Sequence, residues 1–159
     1  MRFHALPRSL LMAGFLLAQP AGAQVAEGQM FGTWKVTCEN GPCRAFMTLQ
    51  KDGTDVLTWQ LLVDRSTKAR SMLLTVPNVT ALPPGVRIWV NEASNFQIPF
   101  QVCDASGCIA AAVIAPEMAT AIGGVGKVRV SYVPYGAQSP VTYEVPVNGF
   151  GEALAQMQW

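Results

Sequence analysis

Pro99-Phe100-Gln101-Val102-Cys103-Asp104-Ala105-Ser106-Gly107-Cys108-Ile109-Ala110-Ala111 sets two apolar runs either side of a four-residue turn with a cysteine at each end. Trp34-Lys35-Val36-Thr37-Cys38-Glu39-Asn40-Gly41-Pro42-Cys43-Arg44-Ala45 repeats the shape nearer the start of the chain. Asp, Asn, Ser, Gly and Pro crowd both turns, and each supplies turn geometry for its own reason. Both stretches read as β-hairpins tied at the neck, which points to an all-β body.

The four cysteines, Cys38, Cys43, Cys103 and Cys108, allow three disulfide connectivities. The tight turns favour Cys38 with Cys43 and Cys103 with Cys108, because each turn brings its strand ends within disulfide reach. A six-residue loop removes about 2 kcal/mol of unfolded-state entropy, against about 4 kcal/mol for a loop of more than sixty residues. Local bridges therefore pin two turns more than they hold a domain together. Crossed pairs remain open on sequence alone. Two sharper alternatives exist: a four-thiolate zinc site and a redox pair. The spacing of four residues rather than two argues against the redox motif.

The compartment follows from the other end. Arg2 and Arg8 form a positive lead, Leu10 to Ala18 a short apolar run, and Ala21-Gly22-Ala23 a small-residue cleavage site. This reads as a signal peptide over residues 1–23, with one domain over 24–159. The apolar run falls short of the roughly 20 residues that span a bilayer. No transmembrane segment is expected after cleavage, so the expected location is periplasmic or secreted. There, disulfides are the default.

Cleavage changes the chemistry on offer. The formal net charge of +1 falls by two, to −1, once Arg2 and Arg8 are gone. No basic footprint for nucleic acid remains. His4 is the only histidine and leaves with the signal. Ser-His-Asp and Cys-His nucleophilic sites are thereby excluded, and so is the commonest ligand of catalytic zinc.

Along the mature chain, alternation dominates. Trp34 and Val36, then Ala45, Met47 and Leu49, then Leu57, Trp59, Leu61 and Val63, then Met72, Leu74 and Val76 form successive inward rows. Asp52-Gly53 marks a hairpin turn. Val86, Ile88 and Val90 alternate with Arg87, Trp89 and Asn91. Ile98, Phe100 and Val102 read as one row into the second tied turn. Val128 and Val130 lie opposite Lys127, Arg129 and Ser131. Val141, Tyr143, Val145 and Val147 give the cleanest alternation, and Pro146 marks that strand as an edge or its end. Pro116 opens a short helix to Ile122. Phe150, Leu154 and Met157 share a face of a short C-terminal helix, with Asn148 as its expected cap. Gly123-Gly124-Val125-Gly126 lacks the strand context of a phosphate loop, and no cofactor is expected. Eight or nine short strands and two helical scraps predict an antiparallel β-sandwich, with a closed barrel as second choice.

The chain resembles the invasion-associated locus B family. The resemblance runs from about Phe31 to Met157. It rests on Phe31-Gly32-Thr33-Trp34-Lys35-Val36-Thr37-Cys38, on Cys43, on Leu82-Pro83-Pro84-Gly85-Val86, on the Cys103 to Cys108 block, and on Gly149-Phe150-Gly151-Glu152-Ala153-Leu154. It implies an immunoglobulin-like β-sandwich, exported to the periplasm or surface, with members linked to host-cell invasion. The family brings no defined catalytic residues.

These readings favour an exported, non-catalytic module that binds a protein or cell-envelope partner. The alternatives are a cysteine-based metal or redox module and a histidine-independent hydrolase, for which Asp104 and Ser106 are the available atoms. Two groups are candidate partner contacts. Arg65, Lys68 and Arg70 form a positive cluster in a polar connection, and Arg87 and Trp89 share an outward strand face.

Overall fold

Inward rows of Val, Leu, Met and Trp cannot be covered within a single sheet, so two sheets must share them. The computed structural model describes residues 27–38, 43–64 and 66–157. The signal-peptide reading, the Glu39-Asn40-Gly41-Pro42 turn and Arg65 lie outside the described residues.

Strands β1 (Met30–Phe31), β2 (Trp34–Thr37), β3 (Arg44–Lys51), β4 (Thr54–Val63) and β5 (Arg70–Val76) run up and down as an antiparallel meander. Between β3 and β4, Asp52 and Gly53 both take positive φ, 52° and 75°. Such a turn matches the twist of the flanking strands. The chain then leaves for a second sheet, through β6 (Val86–Trp89) and β7 (Asn95–Ile98). It returns through β8 (Phe100–Asp104) and β9 (Gly107–Val113), with β9 pairing against β5. Helix α1 (Pro116–Gly123) carries it across again to β10 (Lys127–Tyr132) and β11 (Val141–Pro146), and α2 (Phe150–Gln156) follows. The sheets are thus β1-β2-β3-β4-β5-β9-β8 and β11-β10-β6-β7. All pairings between named strands are antiparallel.

One core joins the inner faces. At its heart Trp34 and Trp59 meet edge to face with centroids 5.7 Å apart, and Phe150 of α2 stands 5.6 Å from Trp34. Edge-to-face contact suits the ring quadrupoles. Phe150, Leu154 and Met157 are all buried, as their spacing requires, and α2 packs over one end of the core.

Three local readings are corrected. The row Ile98, Phe100, Val102 is not one strand. Pro99, which has no N–H to give a ladder, separates β7 from β8, and the two belong to different sheets. The β8–β9 register then shifts between Phe100 and Val102, so Val102 is 52% exposed. Asn148 does not cap α2: Gly149, in the left-handed region at φ 83°, stands there without a side-chain bond. The Asn148 carbonyl instead accepts the Thr33 N–H at 3.1 Å. Finally, the strands begin before Trp34, where the inward rows start: Met30 pairs with Lys35 as an edge strand.

Candidate functional site on the outer face of the four-stranded sheet

The period of two sends Val86 and Ile88 into the core and Arg87 and Trp89 outward. On β10, Val128 and Val130 are buried while Lys127 and Arg129 face solvent. Register then brings these rows together. Arg129 lies directly opposite Trp89, and Ser131 opposite Arg87. The Arg87 guanidinium carbon sits 5.3 Å from the Trp89 ring centroid, and that of Arg129 sits 5.9 Å away. Both are within the reach of cation–π attraction.

Around this trio an open cleft of about 540 Å³ is bounded by Pro84, Gln97, Tyr132, Pro140 and Thr142. Gln97 is held by donating to the Pro84 carbonyl at 2.9 Å. Among the described residues, no carboxylate lines the cleft. Glu144 lies opposite Arg129 on β11, but its oxygen is paired with Lys127 at 2.8 Å. The Lys127 hydrogen bond and charge, and more weakly Arg129, hold Glu144 below its ordinary pKa. Burial, and behind it the neighbouring Tyr143, pushes the Tyr132 phenol above its ordinary value. The cleft therefore offers two permanent cations, an aromatic face and hydrogen-bonding groups. That set suits recognition of an anion.

Sequence reasoning placed Arg87 and Trp89 on this face but missed Arg129 as their partner. The outward alternation of β10 was visible; its register against β6 was not. The other cationic group is elsewhere. Lys68 takes φ 60° in the loop before β5, and Arg70 is the first residue of β5. Arg70 and the loop that leads to Arg87 lie at opposite ends of β5, about 20 Å apart. Lys68 and Arg70 therefore do not converge with Arg87 and Trp89. Within the Lys68 loop, Asp64 Oδ1 accepts from Ser66 N at 2.8 Å, Ser66 Oγ at 2.6 Å and Thr67 N at 2.8 Å. These bonds, with Ser66 Oγ first, pull its pKa down to about 2.

The sulfur chemistry is structural. Cys38 bonds Cys43 and Cys103 bonds Cys108, with Cα atoms 4.0 Å apart in both cases. Two strands of the seven-stranded sheet lie between β3 and β9, a lateral step of about 14 Å, and the register Ala45–Leu61–Met72–Ala112 sets Cys108 about 20 Å further along the strands from Cys43. That distance and the disulfides overturn the four-thiolate zinc alternative. Asp104 Oδ1 takes both Ser106 N at 2.7 Å and Ser106 Oγ at 2.5 Å. The Ser106 hydroxyl, then its amide, holds Asp104 below its ordinary pKa. A carboxylate so held is a weaker base, and this arrangement is that of a closed turn.

The profile of the family described as Invasion associated locus B (IalB) protein matches residues 14–158. The chain belongs to the invasion-associated locus B family. Its curated relatives include invasion protein B homologs of two Brucella abortus strains, 2308 and biovar 1 9-941. Each is 22% identical over 153 residues, covering 92% of this chain and 87% of the relative. The crystal structure of invasion associated protein B from Bartonella henselae superposes with a TM-score of 0.71 at 22% identity, over 81% of this chain and 94% of that one. The likeness establishes a shared fold. Among the described residues, no helix is long and apolar enough to cross a membrane.

Proposed function

We propose that the chain is an exported, non-catalytic module that engages a cell-envelope or protein partner through the Arg87–Trp89–Arg129 cleft. The observation that carries this reading is the stacking of two exposed guanidiniums on one half-buried indole, beside an open cleft lined by no carboxylate among the described residues. A half-buried aromatic anchor flanked by exposed arginines is the composition of a contact surface. Export is supported by the signal-like residues 1–23 and by two disulfides, which persist in oxidising compartments. The association with invasion comes from the names of the relatives and belongs to the same proposal.

The test is site-specific photo-crosslinking in the native envelope. A crosslinker at Thr142, on the cleft, should give discrete adducts; one at Thr48, on the outer face of the seven-stranded sheet, should not. Adducts at neither position would overturn the reading. Edman or mass analysis of the exported chain should find Gln24 first. A deletion strain that enters host cells as well as its parent would remove the invasion part alone.

A further inference from the structure

One end of the molecule is formed by two loops, residues 77–85 between β5 and β6 and residues 133–140 between β10 and β11. They are fastened to each other. Ala81 N donates to the Val133 carbonyl at 2.8 Å, Tyr135 N donates to the Val79 carbonyl at 3.1 Å, and Thr80 bridges to Pro134. Thr80 Oγ1 also donates to the Pro77 carbonyl at 2.7 Å. The two stretches, PNVTALPPG and VPYGAQSP, contain five prolines and no charged side chain. From this stiff, uncharged end project Val79 at 63% exposure, Leu82 at 51% and Tyr135 at 78%. Exposed apolar side chains scattered singly need no explanation. Here three occupy two loops that are bonded together.

The same loops wall the cationic cleft, through Pro84, Gly85, Val133 and Pro140. Arg87 lies two strand residues, about 7 Å, behind Gly85. An apolar tip with guanidiniums set back behind it matches the order of acyl boundary and lipid phosphate. Aromatic side chains such as Tyr135 settle at that boundary. An acidic polypeptide would use the cleft but leave the tip uncovered.

We infer that this end docks on an anionic phospholipid bilayer, with Val79, Leu82 and Tyr135 entering the interface and Arg87 and Arg129 drawing lipid phosphate. The inference rests on the cleft being the contact surface, and it names the partner class. Binding combines buried apolar area with attraction to anionic headgroups, so both sets of residues must matter.

The experiment is co-flotation of the mature chain with mixed phosphatidylglycerol–phosphatidylcholine vesicles, beside phosphatidylcholine alone and inorganic phosphate alone. The mixed vesicles should carry the protein and the neutral ones should not. Added salt should release it. Arg87→Ala should weaken partitioning about fivefold, and Leu82→Ser roughly tenfold, with the fold retained by circular dichroism. Tyr135→Ser provides a second tip variant, on a side chain 78% exposed. Equal flotation with neutral vesicles, flotation with none, or undiminished binding by all variants would overturn the inference. So would saturable binding of inorganic phosphate without vesicle binding. Protein adducts at Thr142 without flotation would overturn the lipid assignment and leave the contact surface standing; failure of both would remove both.

Discussion

Gly32 and Gly149 meet backbone to backbone where the β1–β2 turn touches the start of α2. A Cβ on Gly32 would lie 2.1 Å from the Asn148 carbonyl oxygen, and one on Gly149 would lie 2.1 Å from that of Phe31. Both residues also hold positive φ, 56° and 83°. The obstacles are main chain, so no side-chain rotation relieves them. Thr33 N, which donates to the Asn148 carbonyl at 3.1 Å, fixes the approach from the other side.

Gly149→Ala should therefore destabilise the fold by about 3 kcal/mol or more. Urea unfolding measures it. A loss below about 1 kcal/mol, the cost expected of an unstrained helix-end change, would show that the two turns are not in contact.

Two tryptophans should behave in opposite ways. Trp59 is fully buried against Trp34 and Phe150. Trp59→Ala should cost about 3–5 kcal/mol. Trp89 is only half-buried on the outer face, beside two exposed guanidiniums, so Trp89→Ala should cost about 1 kcal/mol, well below the loss at Trp59. Equal losses in denaturant titrations would refute the assignment of Trp89 to a surface role.

Breaking either disulfide should lower stability by about 2 kcal/mol, because each closes a six-residue loop. The reduced chain should remain folded at room temperature by circular dichroism. Proteolytic mapping of the oxidised chain should recover Cys38 joined to Cys43 and Cys103 joined to Cys108. Losses nearer 4 kcal/mol, as for long-range crosslinks, would speak for crossed pairs.

Asp64 should titrate well below an ordinary aspartate, at about 2 against 3.8. The folded value lies below the unfolded one. The stabilisation of the 64–69 loop is thus complete above about pH 4 and is lost as the pH falls through 2. Ser66→Ala removes the leading hydrogen bond and should move the carbon-detected NMR midpoint of Asp64 back toward 3.8. A midpoint that does not move would place the cause elsewhere.

Much of the strand content was legible. The rows Leu57, Trp59, Leu61, Val63 and Met72, Leu74, Val76 are buried as their alternation requires. Pro146 does end an edge strand, β11. The failures share a cause. The row through Ile98 and Val102 alternates correctly, yet the chain changes sheets at Pro99, and a register shift then turns Val102 outward. Alternation reports a face; it does not report which sheet owns it. Asn148 has a capping side chain, but its carbonyl was already committed to Thr33.

Local order came from the residue string alone: the two local disulfides, the Cys103–Cys108 turn, the Asp52-Gly53 hairpin and the inward rows. These depend on neighbours a few positions apart, where backbone sterics and the period of two dominate. Only the tertiary structure laid Arg129 across from Trp89 and bonded the 77–85 and 133–140 loops into one uncharged end. Those pairs come from distant parts of the chain. Their register is set by how the whole core packs, because a slip of one residue would turn every buried side chain of a strand toward water.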